Sequence, residues 1–358
     1  MLYQTLLLHM QNALAQERSV SGAYYILTGK QSIQTIQDAK LFHLESYYGV
    51  YRSLKKQDYM ERIDTLVDSG FLQAVEEENH FELTNKGQYF LNQHQSLLQQ
   101  YSFQGIHYHS IDRIFYKRLL LLIQVWTNAQ QNNATYIPVV DEKAITNWVK
   151  KLLQQLPKSA NIYLNQLFKE IFFAFKPLDI NEALNIWVRQ LTGYRQIGLT
   201  KQQLAVKFEK SVEDIHLLTT SVTHTLLNQI YKHADEFILL SNIYTQENSA
   251  TRLTRSAQRT ADFLYTHTLE EIAEKRRLKL NTIYDHVVEI SLYDVHFPLD
   301  RFVPLSVQVQ IEQAMKQSGS WKLKEIKANL PEEIRYFDIR LVIAHVQTYL
   351  DKGANRSG

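Results

Sequence analysis

Residues 268–289 read TLEEIAEKRRLKLNTIYDHVVE, a stretch that predicts two helices joined by a basic elbow. Thr268 and Glu271 have the spacing of a capping box, in which two side chains satisfy orphan N–H groups reciprocally and start a helix. Leu269, Ile272 and Ala273 then fall on one helical face, and the small Ala273 lets a second helix cross closely. That second helix is expected to turn Ile283, Val287 and Ile290 inward and Asn281, Thr282, Asp285 and His286 outward. Lys275, Arg276, Arg277 and Lys279 place four cations in five positions at the corner. Cations for phosphates, with small polar groups for base edges, are what groove entry by a helix-turn-helix requires. The expected nucleic-acid contacts are therefore these four cations with Asn281, Thr282 and His286, and with Tyr284 adjoining the outward face.

The same pattern occurs earlier. Residues 200–205, TKQQLA, match TLEEIA position for position, and Ile215 and Ile283 each follow fifteen residues after the cap. Ser211 and Asp214 add a cap for the second helix of this earlier copy. Two helix-turn-helix units are expected, at 200–218 and 268–287. The first is the poorer nucleic-acid candidate, because Glu209, Glu213 and Asp214 crowd its elbow. Beyond the second copy, Lys322, Lys324 and Lys327 cluster on a short helix and are expected to extend the basic surface; a merely solvated face is the alternative.

The N-terminal part has a different character. A helix over 57–68 is expected to bury Met60, Ile63 and Val67 and to stop at Ser69-Gly70. Strands at 71–75 and 81–84 follow, around an acidic tip, which gives the outline of a winged helix. Its exposed face offers Asp58, Glu61, Asp64 and Asp68 against a single Arg62, and the tip carries Glu76, Glu77 and Glu78. Carboxylates held against phosphates repel at contact range, so this face is expected to dock a protein.

Between these ends the chain reads as helices over 111–194, with a capping box at Asp179 and Glu182. Phe115, Leu119, Leu122, Trp126, Trp148, Phe168, Phe172, Phe173 and Trp187 are expected in their core; a ligand pocket among the helices is the alternative. The fold class is mainly α: a winged-helix-like module over 1–95, a helical bundle over 105–240 and a helix-turn-helix domain over 250–350. The tail 351–358 is expected to be disordered.

The 358 residues contain no cysteine, which excludes disulfides and thiolate zinc sites. A formal net charge of +2 requires any nucleic-acid surface to be a local patch. The longest apolar run, near 119–126, is too short to span a bilayer, and residues 1–16 read as an amphipathic helix with no basic start or cleavage-type end. His107, His109 and Asp112 lack a fourth ligand for a metal. No cofactor, metal or small-molecule substrate is expected.

The segment 254–349, with THTLEEIAEKRRLKLNTIYDHV and the later YFDIRLVIAHV, resembles the helicase-associated helix-turn-helix domain at the C-terminus of some RecQ-type helicases. SGAYYILTGKQSIQTIQDAKLF, residues 21–42, resembles the start of the YpbB family of Gram-positive bacteria. The resemblance implies a cytoplasmic accessory to a RecQ-type helicase. The motor itself is missing from the pattern. A P-loop needs GxxxxGK[ST], whereas six residues separate Gly22 from Gly29 and Gln31 stands where the magnesium-binding hydroxyl belongs. The expectation is a non-catalytic DNA-binding adaptor acting with a RecQ-type helicase in DNA repair or recombination. A helix-turn-helix transcription regulator and a docking scaffold without DNA contact are the alternatives.

Overall fold

The structure, a computed structural model, describes residues 1–15, 17–76, 79–156, 159–176, 179–244, 253–294 and 296–354, with side chains as far as 346. It is mainly α. The first elements are α1 (Leu2–Leu14), α2 (Ser21–Thr28), α3 (Ile33–Leu41), α4 (Lys56–Asp68), β1 (Leu72–Ala74), β2 (Phe81–Leu83), α5 (Asn85–His94), α6 (Ser96–Gln100) and α7 (Gly105–Tyr108). Next come α8 (Asp112–Gln130), α9 (Lys143–Gln155), α10 (Ala160–Phe175), α11 (Asn181–Val188), α12 (Lys201–Lys207), α13 (Val212–Lys232) and α14 (Ile238–Ile243). The last are α15 (Arg255–Leu264), α16 (Leu269–Arg276), α17 (Leu280–Tyr293), α18 (Leu305–Ser318), α19 (Leu323–Ala328) and α20 (Tyr336–Ala354).

The chain forms two compact units. The first comprises Met1–Ala13, Ala23–Gly29 and Glu45–Gln246; the second comprises Leu14–Gly22, Lys30–Leu44 and Glu247–Gly358. The segment 1–95 thus contributes to both. α3 is the reason: Gln37 Nε2 donates to the Arg340 carbonyl at 3.1 Å, and the Lys40 ammonium donates to the Leu292 carbonyl while lying 4.1 Å over the Tyr293 ring. The string QSIQTIQDAKLF is therefore a strap across α17 and α20 of the second unit.

In the first unit, α13 is the central helix, burying Ile215, Leu217, Leu218, Val222, Leu226, Leu227 and Ile230. Trp187 of α11 is fully buried against it and donates its indole N–H to Thr223 Oγ1 at 3.1 Å, as a buried indole must. Glu170 of α10 is buried because its carboxylate accepts the N–H groups of Leu239 and Leu240 at 3.0 and 2.8 Å, starting α14. α1 departs from the amphipathic expectation. Leu2, Tyr3, Thr5, Leu6, Leu7, Leu8, Met10 and Gln11 are all buried, so this helix is enclosed nearly all round, polar Thr5 and Gln11 included.

The α4-β1-β2 order is the expected winged-helix outline. The strands pair antiparallel, Leu72 with Leu83 and Ala74 with Phe81. Gly70 ends α4 with φ of 70°, a conformation that costs other residues energy. The buried face of α4 is Tyr59, Ile63 and Leu66, one position round from the expected Met60 and Val67, which are half-buried.

Four further expectations change. Phe168, Phe172 and Phe173 are 69%, 57% and 53% exposed, because α10 buries Leu167, Glu170, Ala174 and Phe175 instead. Trp148 is half-buried, with the Arg118 guanidinium 4.0 Å over its ring. The capping box at Asp179 and Glu182 does not form, since the N-cap of α11 is Ile180 without a side-chain bond. Residues 351–354 continue α20, and 355–358 lie outside the described residues.

In the second unit α17 is central, packed by α15, α16, α20 and α3. Every residue from His286 to Leu292 is buried. Its aliphatic members each stabilise the unit by about 1.5–3 kcal/mol relative to exposure. Among the described residues no helix is long and apolar enough to cross a membrane.

Candidate nucleic-acid interface

The second unit builds its elbow from local bonds. Thr268 Oγ1 accepts the Glu271 N–H at 3.2 Å and Glu271 Oε2 accepts the Thr268 N–H at 2.8 Å, completing the capping box. These bonds to the carboxylate hold Glu271 below the usual carboxyl range. α16 ends at Arg277, whose φ of 53° puts it in the left-handed region, and the Leu278 N–H closes the turn on the Ala273 carbonyl at 2.9 Å. Lys279 is the N-cap of α17. The chain must reverse here within three residues, and that forces the elbow side chains apart.

Of the four elbow cations, three project. Lys275, Arg277 and Lys279 are exposed, and among the described residues no carboxylate forms an ion pair with them. Lys275 lies 4.8 Å over the Phe263 ring and 3.2 Å from His267 Nε2, contacts that hold it without neutralising it. Arg276 points the other way. Its guanidinium donates to the Ser256 carbonyl at 2.8 Å, to Ser256 Oγ at 3.2 Å and to Thr260 Oγ1, clamping α15 to the end of α16.

His286 corrects the sequence expectation outright. It is only 7% exposed, shares a 2.8 Å hydrogen bond with Thr260 Oγ1 and stands 3.3 Å from Arg276. Burial, with the Arg276 charge second, lowers its pKa, so the ring is a neutral core group. The physical reason is that α15, outside the quoted stretch, covers that face of α17. Tyr284 is half-buried too, stacked 4.2 Å from Phe337 of α20 with Arg335 near its hydroxyl at 3.4 Å. Asp285 pairs with Arg340 at 2.8 Å. What α17 presents is its first turn: Asn281 exposed and Thr282 half-buried. A recognition helix reads base edges mainly with its N-terminal residues, so the open part is the useful part.

The three lysines of the later cluster part company. Lys324 is exposed, Lys322 pairs with Glu325 at 3.7 Å, and Lys327 donates to the carbonyls of Pro331, Glu332 and Ile334 at 2.7, 3.0 and 2.5 Å. Lys327 is thereby tied to the turn before α20. Two cations overlooked in the sequence belong beside the elbow instead. Arg255 and Arg259 are exposed on α15, and Arg259 is near enough to Arg276 for their charges to repel. Their i, i+4 spacing in TRSAQR, opposite the buried Ala257, Thr260 and Leu264, is the signal that marks them.

In the first unit, Asp58, Glu61, Asp64 and Asp68 are all exposed along α4, and Glu76 is exposed at the hairpin. Glu77 and Glu78 lie outside the described residues. Arg62, the one cation among them, turns to Gln4 at 3.3 Å.

Helices α15 to α17, with a capped first helix, a left-handed elbow and an open first turn on the second, define a helix-turn-helix protein, a class of DNA-binding module. A family model described as "Helix-turn-helix domain" matches residues 256–343. Over nearly its whole length the chain is similar to Protein YpbB of Bacillus subtilis (strain 168), 31% identical over 339 residues that cover 93% of this chain and 94% of that protein. The chain belongs to the YpbB family. No solved structure matches it.

Proposed function

We propose that this protein is a non-catalytic DNA-binding adaptor that grips DNA through the elbow of its second helix-turn-helix. The observation that carries this reading is the trio Lys275, Arg277 and Lys279, exposed around a left-handed turn and, among the described residues, without carboxylate ion pairs. Arg255 and Arg259 widen the patch, while Asn281 and Thr282 are the polar groups set to approach base edges. With so few such groups, binding is dominated by phosphates, and this favours an adaptor over an operator-reading regulator. The acidic face of α4 is the surface for a protein partner, and the resemblance of the C-terminal domain to RecQ-associated modules supports a RecQ-type helicase in repair or recombination as that partner.

Fluorescence-anisotropy titration against duplex, forked and single-stranded DNA at two salt concentrations tests the reading. Binding is expected to weaken with salt at a slope of about −0.9 per neutralised phosphate on duplex, so about −3 for the trio alone. Flat salt dependence, or no binding at low salt, would leave a docking scaffold. For the helicase, co-purification that is lost when Asp58, Glu61, Asp64 and Asp68 are changed to Lys supports the partner assignment; retention sinks it.

A further inference from the structure

The first unit contains a cavity of about 370 Å³ where residues 49–53 meet α8, α12 and α13. It owes nothing to the elbow. That volume lies within the roughly 300–1,000 Å³ of small-molecule pockets.

Its wall is cationic. Arg52, Arg113, Lys117 and Lys201 line it, against the single carboxylate of Asp112. Asp112 is already committed: it accepts from Arg52 at 3.2 Å and from the Arg113 N–H at 2.6 Å, and stands 3.3 Å from His224 Nε2. Arg113 and Lys117 share Glu142, which is not part of the wall. Lys201 has no such counter-ion among the described residues. Its ammonium meets Nδ1 of His216, whose Nε2–H donates to the Val50 carbonyl at 3.0 Å. Burial first, and the Lys201 charge second, push His216 down to about 3, so this partner is neutral. Burial likewise lowers Lys201 to about 8. A desolvated ammonium facing a neutral acceptor is short of an anion.

Tyr116 contributes to the same wall, with its hydroxyl enclosed beneath the cavity surface. Thr220, whose own hydroxyl donates to the His216 carbonyl at 3.0 Å, lines the same space.

We propose that this cavity binds a phosphate monoester, with Lys201 and Arg52 as its donors. A phosphate monoester brings about −1.5 to −2 charge and three strong acceptor oxygens; a monocarboxylate supplies too little of either for this wall.

Isothermal titration of the full chain decides it, with inorganic phosphate, ribose 5-phosphate, AMP and a 5′-phosphorylated trinucleotide against its 5′-hydroxyl counterpart. One-site binding of ribose 5-phosphate or AMP is expected, weakened at least tenfold in Lys201→Gln and several-fold in Arg52→Gln. The Arg52 side chain is partly exposed, so Arg52→Gln is expected to fold even if Lys201→Gln does not. Binding confined to the phosphorylated trinucleotide keeps the phosphate monoester and makes its source a nucleic-acid 5′ end. Absence of binding by every probe, equal binding by the 5′-hydroxyl trinucleotide, or affinity unchanged in both Lys201→Gln and Arg52→Gln overturns the proposal. DNA anisotropy with Lys201→Gln separates this site from the elbow, since duplex affinity through the elbow is expected to persist.

Discussion

Thr200 in the first unit and Thr268 in the second begin turns that coincide in detail. Both caps have φ of −72° and ψ of 162°, and both complete a capping box. Nine residues later Glu209 and Arg277 occupy the left-handed region at 51° and 53°. Lys210 closes on the Ala205 carbonyl at 3.0 Å as Leu278 closes on Ala273 at 2.9 Å. Ile215 and Ile283 are both fully buried. The copies diverge at the first turn of the second helix. In the earlier copy Asp214 is buried, accepting the Tyr3 N–H at 2.7 Å and the Met1 amino group at 2.6 Å. His216, two residues on, stacks on Tyr51 at 4.1 Å. In the later copy the matching turn leaves Asn281 exposed between Lys279 and Thr282. The helix-turn-helix is first a way of packing two helices, and in the proposed function DNA contact requires a second helix with an open first turn and an elbow that carries cations.

The strongest attempt to break this contrast is the triple reversal Lys275→Glu, Arg277→Glu and Lys279→Glu. Duplex affinity at low salt is expected to fall about 100-fold or more, since three phosphate contacts become repulsions, with circular dichroism unchanged. An unaltered titration curve moves the interface elsewhere.

The next largest effect concerns pH and the earlier copy. His216 has a native pKa of about 3 against its ordinary 6.5. Between these values the unfolded state binds a proton that the native state does not, so stability is full above pH 6.5 and declines below it. Chemical denaturation at pH 6.5 and pH 5 is expected to differ by about 2 kcal/mol from this group, and the difference shrinks in His216→Gln. An undiminished difference in that variant means the ring is not the titrating group.

Adjacent arginines sharpen the comparison further. Arg276→Ala is expected to cost about 1.5 kcal/mol in stability, because Thr260 and Ser256 lose a charged donor. Arg277→Ala should stay within about 0.5 kcal/mol while weakening DNA binding. Thermal melts and anisotropy on the same two proteins check both halves; matching losses of stability erase the distinction. The smallest effect is the most pointed. Glu209→Lys gives the earlier elbow the charge of the later one, yet DNA affinity is expected to change less than about twofold, because its second helix remains covered. A tenfold gain shows that charge alone separated the copies.

Much of this was legible in the residues. TKQQLA and TLEEIA announced both capping boxes, and the fifteen-residue interval placed Ile215 and Ile283 in the core. The acidic face of α4 was readable from Asp58, Glu61, Asp64 and Asp68, which share its solvent side. His286 was not readable, because the residue that engages it is Thr260, twenty-six positions earlier. Nor was the exposure of Phe168 and Phe172, where apolar type argued for burial while the helix turned Leu167 and Glu170 inward.

The sequence by itself determined the mainly helical class, the caps at Thr200 and Thr268, the doubled turn and the membership of the elbow, because those depend on bonds between residues a few positions apart. Tertiary structure decided which elbow cations face solvent, which copy stays open at Asn281, that residues 30–44 strap the second unit, and that Lys201 lacks a counter-ion among the described residues. Those outcomes rest on burial and charge contributed from elsewhere in the chain, such as Tyr3 against Asp214 and Gln37 against Arg340, and local periodicity carries no information about them.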